Sequence, residues 1–397
     1  MIAPRSRYNG YPVGTKGISR VSALIFLAAA LVGGPGAEWR NLGGDAQHSS
    51  FVPTAYQRAY KFVKSIEVAP PFSGLFASPV VVRDVVYSIS TRRGALTAYS
   101  LTGKKVLWQT NLQETKLLLE KGLAASDSTL FIPSGVTGKM IGVALADGKV
   151  EWTFNVGTTL TAPLFFNGNV YFADQDGIMY ALTEGGKLLW KTDLKEPVEP
   201  FGMCASAYGN KVYIGTMQGT VAALDPGNGK LLWKFTAGSE IDVPPVIIPE
   251  IGIAVVAKSP SADKASFHFL SDAGAESWSY DLQVGENDRP GMMGTDGNQI
   301  FALIGSKVYS FNLDGSYLWS SEDKLTGLAT GLMVSKDTLV VGTQREEGKT
   351  LNFMSKGNGD VYFTHHGEGW FAANPVAAGD WIVAPNEDGR LYLFSIK

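Results

Sequence analysis

Few residues of this 397-residue chain stand at spacings that chemistry requires. Asp174-Gln175-Asp176-Gly177 has the opening of a calcium loop, where alternate carboxylates supply oxygen ligands. It lacks the third acidic position and the closing Glu. Gly342 to Thr350, GTQREEGKT, has the outline of a phosphate-binding loop. Five residues rather than four separate its glycines, and it joins two strand-like runs instead of opening a helix. His365 and His366 are adjacent, and neighbours on a strand point to opposite faces, which is poor geometry for one metal ion. Cys204 is the single cysteine, so neither an intramolecular disulfide nor a Cys-x-x-Cys-His haem attachment is possible. Both loops read as turns. No catalytic residue, metal ligand or haem is assigned, and no nucleophile–base set is legible from spacing.

The elements that would position any site belong to a repeat. Six of the nine tryptophans close the same short phrase: LTGKKVLW, LADGKVEW, EGGKLLW, PGNGKLLW, DAGAESW and LDGSYLW, ending at Trp108, Trp152, Trp190, Trp233, Trp278 and Trp319. A seventh copy, GNGDVYF, ends at Phe363. A period near 40–45 residues ending in an aromatic strand predicts an all-β propeller of four-stranded blades. Within one unit, TAPLFF, VYFA, IMYAL and LLWKTD are rich in β-branched and aromatic residues and are separated by Gly/Asn/Asp turns. The aromatics are expected to pack between adjacent blades, and the glycine four residues before most of them suits a tight turn with positive φ. Regular repetition marks these rings as scaffold, not as stacking partners for a cofactor.

Seven units run from about residue 78 to residue 366, and the last twenty-odd residues supply three more strands. The run at 59–69, AYKFVKSIEVA, has a strand pattern and no sheet of its own. Placed outermost on the last blade it covers an exposed edge and closes the ring. The expectation is eight blades, with seven as the alternative, in one domain spanning 38–397.

In such a blade the second-to-third-strand turns and the connections between blades share one face of the disc. There fall Arg92, Arg93, Glu199, Phe201, Arg289, His366 and Trp370, the candidate binding face, since loops on a rigid scaffold are where function concentrates. Most are expected to be solvated loop residues; Phe201 and Trp370 stand out as exposed aromatics suited to anchoring a partner. Leu117, Leu118 and Leu119, apolar and framed by charge outside the four-strand pattern, are a candidate partner patch or a short helix folded on a neighbouring blade.

Residues 1–37 are of another kind. They carry Arg5, Arg7, Lys16 and Arg20, no acidic residue, then the apolar run 21–32 and the small-residue stretch GGPGA. That run is shorter than the ~20 residues a membrane-spanning helix needs. It reads as a secretory signal, with an uncleaved anchor, a tether through residues 21–37, as the alternative; Pro35 stands three before a cut after Ala37. Losing four positive charges and no negative one takes the net charge from −3 to −7. An acidic exported protein without a basic stripe argues against nucleic acid as a partner, and the expected address is periplasmic or extracellular.

Phrases such as VYFADQDGIMYALTEGGKLLWKTD resemble the repeats of the pyrroloquinoline-quinone-like propellers, and WRNLGGDAQHSSFVP, at 39–53, resembles the stretch preceding the first blade in that family. The resemblance covers nearly all the chain after residue 38. The family includes many members of unknown role beside two kinds of known activity. One is a quinone-dependent dehydrogenase of alcohols or sugars, with the quinone and calcium at the ring axis, often beneath a disulfide of adjacent cysteines that this chain does not have. The other is a non-catalytic scaffold binding envelope proteins, as in the propeller lipoproteins of the outer-membrane β-barrel assembly machinery. Those anchor through a cysteine after the signal, and Gly33 to Glu38 holds none. The scaffold is the leading expectation, with no cofactor; the quinone with calcium belongs to the alternative.

Overall fold

The protein is described by a computed structural model covering residues 38–55, 61–112, 122–134, 137–259, 261–345 and 348–395. The leader or anchor and Leu117, Leu118 and Leu119 lie outside the described residues. Residues 34–397 form one compact unit.

Eight antiparallel sheets, each of four consecutive short strands with two modifications, make eight blades. Blade 3 is representative: Leu164–Phe166, Asn169–Ala173, Ile178–Thr183 and Leu188–Asp193 follow one another from the inside outward. The third strand mixes buried and half-buried positions, while the fourth is mostly exposed apart from the buried Trp190 and half-buried Thr192, as an outer edge facing water on one side should be. Innermost strands of neighbouring blades touch in sequence, and Val80–Val82 of blade 1 meets Val376–Ala378 of blade 8, so the eight form a ring. Eight is the count, not seven.

The two modifications involve the chain before blade 1. Lys61–Glu67 is the outermost strand of blade 8, antiparallel to Arg390–Ser395. Phe51–Val52 adds a fifth, innermost strand to blade 7, parallel to Leu328–Ser335.

Each repeated tryptophan locks its blade to the next. The Trp108, Trp152, Trp190, Trp233 and Trp278 indole N–H groups donate to Leu145, Glu184, Pro226, Asp272 and Leu313 carbonyls of the following blade at 2.8–3.0 Å. Their rings lie where the next blade's turn glycine would carry a side chain: a Cβ on Gly229 would sit 2.5 Å from the Trp190 ring. That glycine is therefore required twice, by φ +72° and by the ring against it. Trp190 is 8% exposed; removing about 150–250 Å² of such a side chain from water gives an upper bound near 4–6 kcal/mol. At the equivalent register of blade 8, opposite Leu393, stands Lys64, whose Nζ reaches the Tyr99 hydroxyl of blade 1 at 3.4 Å.

Candidate functional site

The inner edge of a propeller is a circle of unpaired strands, and unpaired backbone groups must find partners. Here residues 39–54 supply them. The segment visits blades 1 to 7 in order. Trp39 exchanges two backbone hydrogen bonds with Val81, and the Arg40 carbonyl accepts from Ala125 N–H at 2.8 Å. The Asn41 carboxamide bonds both backbone groups of Phe165. Carbonyls of Ala46, Gln47, Ser49 and Ser50 accept from Ala207, Ile247, Thr295 and Val334 at 2.7–3.0 Å. Among the described residues the eighth inner strand makes no such bond. This strap runs around the inner edge of the ring and folds on itself at Gly43 and Gly44, where a Cβ would sit 3.1 Å from the His48 Cα and from the Trp39 ring.

Its fold is held by local chemistry. The Asp45 carboxylate accepts from the Gln47 and Ser49 N–H groups at 3.1 and 2.9 Å and from the Ser49 hydroxyl at 2.5 Å. His48 is fully buried with positive φ, its Nε2 2.8 Å from the Ala205 carbonyl of blade 4. Burial pushes His48 below and Asp45 above their ordinary pKa values, so the pair favours the neutral forms.

A quinone bound with calcium requires several oxygen ligands converging on the ion. Among the described residues no group of three or more His, Cys, Asp and Glu side chains converges to hold a metal. Cys204, the one cysteine, is buried with its thiol pushed well up by burial. Asp174 of the calcium-like motif is spent inside its own turn, accepting from Ile178 N–H at 2.8 Å and the Tyr180 hydroxyl at 3.0 Å. The adjacent histidines diverge: His366 is exposed, whereas His365 stacks on Phe62 at 4.5 Å and meets Phe394 and Tyr392 edge-on at the ring closure.

The loop face brings the candidate residues into two groups. Arg92 and Trp370 converge on Glu387. The Arg92 Nη2 bonds the Glu387 carboxylate at 3.1 Å, and Glu387 N–H donates to the Trp370 carbonyl at 2.9 Å. Arg93 beside them is exposed, and Trp370 is half-buried. The second group surrounds the connection from blade 4 to blade 5. Arg289 lies 3.9 Å from Glu240, the Glu199 carboxylate caps Gly202 N–H, and Phe201 is 38% exposed. His366 ends an outer strand, opposite Thr350, and joins neither group. Phe72 escaped the sequence reading. It adjoins the first group on the connection into blade 1, is 59% exposed, and has φ +54°. The only local signal was its setting, PPFSG, a turn-rich stretch in front of the first repeat.

With fold and face in view, comparison with known proteins defines the class. The family described as outer membrane protein assembly factor BamB matches residues 92–240 and 180–302, together more than half of the chain. The chain belongs to this family of quinone-type propellers. It is similar to the outer membrane protein assembly factor BamB of Yersinia pestis, 26% identical over 336 residues that cover 77% of this chain and 80% of that protein. The crystal structure of BamB from Moraxella catarrhalis superposes with a TM-score of 0.67 at 18% identity, over 85% of this chain and 99% of that one. The quinohemoprotein alcohol dehydrogenase of Comamonas testosteroni superposes with a TM-score of 0.72 at 13% identity, over 91% and 80%. At such identities the two structures show the shared propeller alone.

Proposed function

We propose that this protein is a non-catalytic, extracytoplasmic propeller scaffold that binds envelope proteins during assembly of outer-membrane proteins. The observation that carries this reading is the family match combined with an inner edge bonded by residues 39–54 and a loop face that presents arginines and aromatics. A rigid ring whose variable part is confined to loops suits protein–protein contact, where aromatic and arginine side chains supply most of the binding energy. The acidic charge and the basic, apolar leader support export and argue against nucleic acid.

The dehydrogenase alternative requires a quinone and a calcium ion, and among the described residues no group of three or more His, Cys, Asp and Glu side chains is placed to hold such an ion. The exported protein, purified and titrated with pyrroloquinoline quinone and calcium, should give no saturable absorption change and no dye-linked oxidation of alcohols or sugars. Stoichiometric quinone uptake with substrate-dependent dye reduction would replace the scaffold by the enzyme.

A further inference from the structure

We propose that the surface around Phe72, at the junction of blades 8 and 1, docks a partner polypeptide segment that carries an apolar side chain beside a carboxylate. The proposal rests on the scaffold reading and names the chemistry of its partner.

Phe72 combines two features that stability alone disfavours. It is the most exposed of the large apolar side chains among the described residues, and its backbone is left-handed, a region costly for a residue with a Cβ. Neither arises from slack in the loop. Phe72 N–H donates to the Asp388 carbonyl at 3.2 Å, Gly74 N–H to Glu387 at 3.2 Å, and Val68 and Ala69 N–H to Gly389 at 3.1 Å. The neighbouring arginine is fixed as well: Arg92 donates to the Phe72 carbonyl at 3.0 Å and to Glu387 at 3.1 Å, with its guanidinium 5.2 Å from the Phe76 ring centre. A pre-organised aromatic and arginine lose little freedom on binding.

The charge of the occupant follows from Arg93. Glu387 is already engaged by Arg92, while the exposed Arg93 has no carboxylate partner among the described residues. An exposed guanidinium in the same turn as Arg92, which holds the Phe72 carbonyl, on a protein of net negative charge, is complementary to a carboxylate next to an apolar group.

The test is selection of a random dodecapeptide library on the full exported chain, followed by affinity measurement on Phe72→Gly, Arg93→Glu and Phe201→Ala. Glycine accepts φ +54° without penalty, so Phe72→Gly should leave Tm unchanged or raise it while weakening the selected peptides at least about tenfold, the loss expected of a hot spot. Arg93→Glu should weaken them similarly, and the selected sequences should be enriched in Asp or Glu beside an apolar residue. A fall in Tm for Phe72→Gly would make the phenylalanine structural and overturn the proposal. Peptides insensitive to Phe72 and Arg93 but lost on Phe201→Ala would overturn it and leave the scaffold reading standing. No binding peptide at all would count against both.

Discussion

Replacing the repeated tryptophans by phenylalanine separates the ring's packing from its hydrogen bond. At Trp190 the substitution removes an N–H that reaches the Pro226 carbonyl at 2.9 Å. The lost bond is worth about 1 kcal/mol and the smaller ring surrenders about another 1–2 kcal/mol of burial, so Trp190→Phe should cost about 2–3 kcal/mol. At Trp319 the ring packs in the same way against Gly359, yet its buried indole N–H has no partner among the described residues. An unsatisfied buried donor costs about 1–3 kcal/mol, so deleting it offsets the lost burial and Trp319→Phe should lie within about 1 kcal/mol of the parent. Urea unfolding followed by tryptophan fluorescence, compared at constant m, reads the difference. Losses at Trp319 equal to those at Trp190 would refute the argument that the inter-blade carbonyl, and not the ring alone, sets the cost. Blade 7 already runs the substitution, with Phe363 in the tryptophan's place.

Three further outcomes are expected. Trp190→Ala and Trp233→Ala should each cost about 3–5 kcal/mol in the same unfolding assay, whereas loop-face Arg93→Ala should stay within about 0.5 kcal/mol. Deleting residues 59–69 should leave Arg390–Ser395 as an open edge and yield aggregates in size-exclusion chromatography; a monomer with unchanged Tm would show that Lys61–Glu67 is dispensable. Burial lowers the pKa of His48 and of His365, so below the unfolded value near 6.5 the unfolded chain takes up protons that the folded one resists. Stability is therefore present above that pH and lost as it falls, with the raised Asp45 acting in the opposite sense at more acid pH. His48→Gln should flatten Tm between pH 7.5 and 5, and an unaltered slope would place the titration elsewhere.

How much of this was legible before folding depends on the range of the interaction. The turn glycine and the aromatic four residues later belong to one hairpin, so the repeat announced the blades. Ring closure was legible because 59–69 had a strand pattern without a sheet. The strap was not, because its bonds are made by backbone carbonyls of Ala46, Gln47, Ser49 and Ser50, and backbone bonding leaves no mark on residue choice. Lys64 in the tryptophan register gave no signal, since only pairing with Leu393 places it there. The loop face was foreseen as a face but not as groups: Arg92 and Glu387 are 295 residues apart and meet only because the ring closes. Phe72 was invisible because its distinction is a dihedral angle, and Trp370, expected exposed, is half-buried.

The central claim, a scaffold that engages envelope proteins through one face of the ring, is tested most directly by photo-crosslinking in cells exporting the protein. A benzophenone side chain would replace Phe201 or Phe72 on the loop face, or the exposed Ile251 in a first-to-second-strand turn on the opposite face. The scaffold predicts discrete adducts with an outer-membrane assembly protein from the loop face and none from position 251. Adducts only from position 251, or none from any position at native expression, would contradict it.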